Sequence, residues 1–231
     1  MVASLRLRAG TATDFAEMAR VGCEAFKGNL INNALFPEHL RQDSSEEDER
    51  QWRIAVLEKG SQTAGRHYVL VIQDGEGSGE EEEEEIVGWA EWQAPKDAGG
   101  TELATTTTVP ESHLPLAREP ASFDKDALEV FRQQTKLLSG QVLGSGSEDK
   151  FWCLYTIAVH PNHQRRGVGT MLVQWGVEMA RKSQSAGIFL FASPAGKNLY
   201  SGLGFRDLGQ AEILGDVQCA MLWEPPPSAE S

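Results

Sequence analysis

The sequence is short of several things, and each shortage narrows the reading. It has three cysteines in 231 residues, Cys23, Cys153 and Cys219, an odd number without metal-ligand spacing. That pattern argues against a disulfide framework or a thiolate metal site. Each cysteine falls in an apolar run, which suits a reduced core thiol. No apolar run approaches the ~20 residues that cross a bilayer. The opening Met1-Val2-Ala3-Ser4-Leu5-Arg6 lacks the charged-then-apolar layout of a secretory signal. The expectation is a cytoplasmic protein with no membrane partner. Basic residues are also scarce, 21 Lys and Arg against 34 Asp and Glu, for a net charge of −13. A nucleic-acid binder carries a basic face, so no nucleic acid is expected. Eight of the acids lie between Asp74 and Glu85 with no base among them, and without that segment the excess is five. The remaining acidity is compatible with a cationic amine substrate.

What is present reads as one globular domain over residues 1–224, with a disordered tail at 225–231. Alternation in Leu5-Arg6-Leu7-Arg8 predicts a first strand, and Asp14 with Glu17 predicts a helix start. A second helix is expected from Ser45 to about Lys59, with Asn29 to Pro37 between them as an aperiodic apolar loop. His67–Ile72 and Ile86–Trp92 read as a strand pair. Their connection, residues 75–85, is glycine and glutamate, and is expected to be a disordered acidic loop. Residues 94–150 read as an insertion, Pro/Thr/Gly-rich at first and then a helix with Phe123, Ala127, Val130, Phe131, Gln134, Leu137 and Leu138 on one face. A strand over 151–159, an amphipathic helix from Gly167 and a strand over 187–192 follow. That last strand is apolar on both faces, as in a doubly covered central strand. A short helix from about Ala195 to Ser201 and a strand over 217–223 complete the pattern. The fold class is α/β (mixed α+β), a twisted mixed central sheet with helices on both faces.

The chemistry concentrates between Leu154 and Arg206. A strand delivers the chain to Gln164-Arg165-Arg166-Gly167-Val168-Gly169-Thr170, where a helix begins. Free amide N–H groups and the helix dipole make such a start an anion site. Gly167 and Gly169 remove side chains where a pyrophosphate approaches the backbone, and Arg165 and Arg166 add charge. The alternative is a glycine-rich turn with two solvated arginines. A nucleoside-triphosphatase loop would need Gly-Lys-Ser/Thr, which is absent, and a dinucleotide fold would need a small residue where Leu172 stands.

Ile157-Ala158-Val159-His160-Pro161, Gln164 to Thr170, and Asn198-Leu199-Tyr200-Ser201-Gly202-Leu203-Gly204-Phe205 together resemble the GNAT acetyltransferase superfamily. Gln164 to Gly169 matches its Gln/Arg-x-x-Gly-x-Gly/Ala signature, and Asn198 to Phe205 matches its Asn-x-Tyr-x-x-x-Gly-Phe element. Close resemblance covers about the last third of the chain. It implies acetyl-CoA as cofactor and two parallel strands that splay, near Ile157 to Val159 and near Leu190 to Ala192. The cofactor's pantetheine arm is expected in that gap, on backbone of the Ile157-Ala158-Val159 segment. Asn198 would contact the cofactor and Tyr200 would lie by its sulfur, as general acid or as a ring packed beside Leu199 and Phe205. Glu91 is the candidate base, on a strand where several family members carry a catalytic acid, or else a solvated strand glutamate.

The family's acceptor site lies between its first two helices, which makes Phe26, Asn29 and Phe36 substrate candidates. Trp89 joins them, although tryptophans singly suit the core. His160 suits a structural or surface role, His163 is read as solvent-facing, and no metal is expected. The expected activity is acetyl transfer from acetyl-CoA to a primary amine, most simply of a small molecule, by a monomer or homodimer. A protein acetyltransferase and a non-catalytic acyl-CoA sensor are the alternatives.

Overall fold

The computed structural model describes residues 4–42, 45–74, 84–96 and 120–226. Among them are seven strands in one sheet and six α-helices. In chain order these are β1 (Leu5–Ala9), α1 (Phe15–Phe26), α2 (Leu30–Leu35), α3 (Ser45–Ser61), β2 (Arg66–Asp74), β3 (Glu84–Gln93) and α4 (Lys125–Leu143). After them come β4 (Trp152–Val159), α5 (Val168–Lys182), β5 (Ile188–Ala192), α6 (Pro194–Gly202), β6 (Arg206–Ile213) and β7 (Asp216–Trp223). The strand order is β1-β2-β3-β4-β5-β7-β6, and only the central pair β4–β5 is parallel. The expected mixed sheet with helices on both faces is what forms.

Each face has its own apolar layer. On one, Leu172 and Val173 of α5 pack with Val69, Val87, Trp92 and Leu190. On the other, Phe15, Met18 and Val21 of α1, with Leu57 of α3, cover Tyr68, Leu70, Ile72 and Trp89. Farther along that second face, Leu138 of α4 packs on Cys153, Phe189 and Ala220. β5 therefore has side chains in both layers, which is why its sequence is apolar without alternation. Two glycines let α5 sit close to the sheet. A Cβ on Gly176 would lie 2.3 Å from the Trp92 ring, and one on Gly88 would lie 2.7 Å from Val168 at the helix start.

Several elements differ from the sequence expectation. The segment expected to be a loop at 29–37 contains α2, because the Asn29 side chain accepts from the Asn32 N–H at 3.1 Å and caps a single short turn of helix. α1 starts directly after Asp14 as expected, although Asp14 makes no capping box with Glu17. The Asp14 carboxylate accepts from the Thr11 N–H at 2.8 Å and pairs with Arg8, while Glu17 pairs with Arg20. β3 begins at Glu84, two residues before the apolar run, because Arg6 and Arg8 on β1 pair with that carboxylate. Those two residues, 84 and 85, are thus strand rather than loop, and the rest of the acidic segment, 75–83, lies outside the described residues, as do 97–119 and the tail from Pro227. β6 went unread because its side chains alternate weakly at the sheet edge, and a turn with Leu214 and Gly215 at φ 53° and 82° closes its hairpin with β7.

Candidate active site

The site begins with a defect in strand pairing. β4 and β5 are in register only at Trp152–Ile188, Cys153–Phe189 and Leu154–Leu190, so beyond Leu154 the two strands part. On its other edge β4 stays with β3, but the register skips Tyr155, placing Trp92 opposite Leu154 and Glu91 opposite Thr156. Such a bulge reverses the alternation of backbone groups along the strand. Before it, the Trp152 N–H points toward β5 and reaches Gly187 O at 3.0 Å; after it, the His160 N–H points the other way, to Val87 O at 3.0 Å. The N–H groups of Ile157 and Val159 therefore face the gap, where β5 no longer pairs with them.

The chain then turns through Pro161–His163 and reaches the start of α5. Gly167 is the N-cap residue at φ 87°, a conformation that costs an L-residue about 1–2 kcal/mol. Arg165 carries that strain at φ 62°. The first intrahelical bond runs from the Met171 N–H to Gly167 O at 3.0 Å, so the amides of Val168, Gly169 and Thr170 are free to meet an anion. Gly169 lies under α6, where an added Cβ would be 3.1 Å from Leu199. The turn fits a pyrophosphate-bearing cofactor: its free backbone donors lie together at the helix start, and Gly167 and Gly169 put no side chain in the way.

Strand gap, glycine turn and α6 enclose one cleft of 640 Å³. Ile157, Val159, Gln164, Arg165, Gly167, Val168, Gly169, Thr170, Asn198 and Tyr200 line it, as do Phe26 and Asn29 from the α1–α2 connection. Tyr200 is 4% exposed, its ring edge-on to Phe205 at 5.7 Å, and burial raises its pKa above the ordinary tyrosine value. It stays protonated at neutral pH. Its hydroxyl has no hydrogen-bond partner among the described residues, so it is free to donate into the cleft.

Other expected site residues lie elsewhere. Ala158 points into the layer beneath α1 and does not line the cleft. The Arg166 guanidinium turns away to Gln73 and His163. Trp89 is core, its indole N–H donating to Met18 O at 2.7 Å. Phe36 packs with Trp52 and Phe123 and borders a second cavity of 730 Å³ between α1 and α3. Glu91 is neither solvated nor in the cleft. It is 6% exposed on the α1–α3 face, paired with Arg66, and accepts from the Thr156 hydroxyl at 3.2 Å. His160 accepts from the Asn162 N–H at 3.3 Å and so shapes the turn. His163, expected in solvent, is buried at 9% exposure.

Some cleft residues were missed. Ser193 caps α6 and lines the cleft with Ala195 and Gly196, and the Ser193-Pro194 pair is a helix-start signal that could have flagged it. The thiols are not candidates for chemistry. Burial pushes Cys23 up to about 11 and Cys153 up to about 12, so both stay protonated at neutral pH.

The comparisons with known proteins agree with this geometry. The family described as Acetyltransferase (GNAT) domain matches residues 129–207. An acetyltransferase of Stachybotrys chartarum is 30% identical over 219 residues, covering 92% of this chain and 86% of that protein. Among solved structures, a Corynebacterium glutamicum protein described as histone acetyltransferase HPA2 and related acetyltransferase has a TM-score of 0.59 at 22% identity, covering 98% of this chain and 99% of its own. The yncA protein of Salmonella typhimurium, solved with its cofactor acetyl-CoA, has a TM-score of 0.51 at 16% identity, covering 98% and 96%. At these identities the two structures speak for the fold alone.

Proposed function

This chain belongs to the GNAT acetyltransferase family and is an acyltransferase, and from that premise we propose that it moves an acetyl group from acetyl-CoA directly to the primary amine of a small molecule. The observation that carries the reading is the parting of β4 and β5 beyond Leu154 beside the side-chain-free turn at Gly167. Acetyl-CoA, when bound, supplies the acetyl group as an activated thioester.

The chain's own residues do the rest. The free amides of Val168, Gly169 and Thr170 hold the pyrophosphate, with Arg165 adding charge at the cleft wall. The edge N–H groups of Ile157 and Val159 hold the extended arm, as a partner strand would. Tyr200 keeps its proton until a departing sulfur needs one. An alkylamine has a pKa of about 10.4 and must lose a proton before it attacks. No carboxylate lines the cleft among the described residues, so that proton passes to water, and Glu91, held by Arg66 and the Thr156 hydroxyl, stands behind the wall. Phe26 and Asn29 wall the acceptor side.

The small-molecule reading is supported by the acceptor side of the cleft, which Phe26 and Asn29 wall from the α1–α2 connection, whereas a protein segment would need an open groove. Three cysteines without a disulfide support a reducing, cytoplasmic setting. No helix among the described residues is long and apolar enough to cross a membrane.

The test is calorimetric titration of acetyl-CoA into wild type and into a Gly167→Asp, Gly169→Asp variant checked for fold by circular dichroism. Binding by wild type and none by the folded variant is expected. A folded wild type that does not bind at millimolar acetyl-CoA removes the proposal.

A further inference from the structure

Two arginines stand side by side before Gly167, and the structure gives them different work. Arg165 lines the cleft. Arg166 reaches the other way: its Nη2 donates to Gln73 Oε1 at 2.8 Å, and its Nη1 is 2.7 Å from His163 Nδ1. A guanidinium can only donate, so His163 Nδ1 holds the lone pair and its hydrogen sits on Nε2. That second nitrogen faces Glu85 Oε1 at 3.4 Å. Gln73 is next to the last residue of β2 and Glu85 is the second residue of β3. Arg166 thus ties the turn to β2 directly and, through His163, to β3, two paired strands that lie far earlier in the chain.

The backbone gives this tie a purpose. Arg166 sits between two left-handed residues, Arg165 at φ 62° and Gly167 at φ 87°. Alternating left- and right-handed residues turn successive N–H groups to one side and form an anion nest. An arginine at φ 62° gives up an easier conformation to be there. Something outside the turn has to hold it, and the clamp on the intervening residue is in place to do so.

We propose that Arg166 is a positioning residue and not a phosphate ligand: through Gln73 and His163 it holds the Arg165–Gly167 turn in its anion-binding shape, while Arg165 supplies the charge that meets the cofactor. The binding part of this inference rests on the acetyl-CoA reading above; the clamp itself does not.

Two measurements test it. In the free protein, hydrogen exchange of peptides covering residues 160–171 should quicken in Arg166→Gln and in Gln73→Ala, and stay at the wild-type rate in Arg165→Gln. Unchanged exchange in both clamp variants overturns the proposal whatever the cofactor does. In acetyl-CoA titrations over a series of salt concentrations, Arg165→Gln should weaken binding and flatten its salt dependence, because a screened charge contact is gone. Arg166→Gln should weaken binding by about 5- to 10-fold with the wild-type salt dependence, a loss of the size expected for one or two charged hydrogen bonds acting indirectly. The Gln73→Ala, Arg166→Gln double variant should bind no more weakly than Arg166→Gln alone, since both break one linkage. A flattened salt dependence in Arg166→Gln, or additive losses in the double variant, makes Arg166 a direct phosphate contact and sinks the idea. A wild type that does not bind acetyl-CoA ends the cofactor reading, and the exchange result then decides the clamp on its own.

Discussion

The cleft at the strand gap and the cavity between α1 and α3 are nearly the same size, 640 and 730 Å³, and are built from different materials. The cleft is lined by strand edge, glycine turn and short or apolar side chains, with Arg165 and Tyr200 its titratable members. Its recognising groups are mostly backbone, already fixed by the sheet and by α5, so little conformational freedom remains to be lost on binding. The other cavity is lined by long charged chains, among them Arg20, Arg41, Arg50, Glu24 and Glu46. Arg20 and Arg50 pair with Glu17 and Glu47 on their own helices, and such exposed pairs contribute little. Volume therefore does not mark the functional site here. What marks it is a set of donors held in place with nothing to accept them.

The comparison is sharpened most by removing the open space at the glycine turn. Gly167→Asp with Gly169→Asp should reduce acetyl-CoA affinity by more than about 100-fold, some 2.7 kcal/mol, in calorimetry. Next is Tyr200→Phe, which should lower turnover by about 100-fold, within the range of general acid catalysis, while the calorimetric affinity stays near wild type. An unchanged turnover number would leave Tyr200 a packing residue beside Phe205.

Glu91→Gln reaches outside the cleft and tests the boundary of the site. It leaves Arg66 buried without a carboxylate, which should destabilise the fold by about 3 kcal/mol in urea unfolding. With the amine's proton passing to water, the acid limb of the pH–rate profile should stay intact, which confines Glu91 to a structural role; loss of the limb would make Glu91 the base. Smallest of all, Arg20→Gln with Arg50→Gln in the charged cavity should change acetyl-CoA affinity by less than about two-fold and stability by about 0.5 kcal/mol or less. A larger loss of affinity would break the contrast between the two cavities.

The same contrast explains how far the sequence could be read. The turn was legible because its chemistry is local: glycines where side chains cannot fit, donors that exist because a helix starts there, and a strand that must precede it. Tyr200 and Asn198 were named through the family resemblance of Asn198 to Phe205, and α6, which follows β5 directly, carries both at the cleft. Phe36 was less well placed because its partners Trp52 and Phe123 are distant in the chain, and Glu91, Trp89 and Ala158 because a strand residue's environment depends on which face it takes. The bulges at Val71/Ile72 and at Tyr155 change that face without leaving a mark in the local pattern. His163 and Arg166 were misread for another reason. Their partners, Glu85 and Gln73, are brought to them only when the β2–β3 hairpin docks alongside β4.

The sequence by itself determined the strands and helices other than α2 and β6, the doubly covered strand at 188–192 and the glycine turn that starts α5, since these follow from periodicity, capping and the steric needs of glycine. Tertiary structure decided where β4 and β5 part, which of two adjacent arginines faces the cleft, and which carboxylate is buried against Arg66. Those outcomes depend on strand register and on contacts between residues far apart in the chain, and no local preference encodes them.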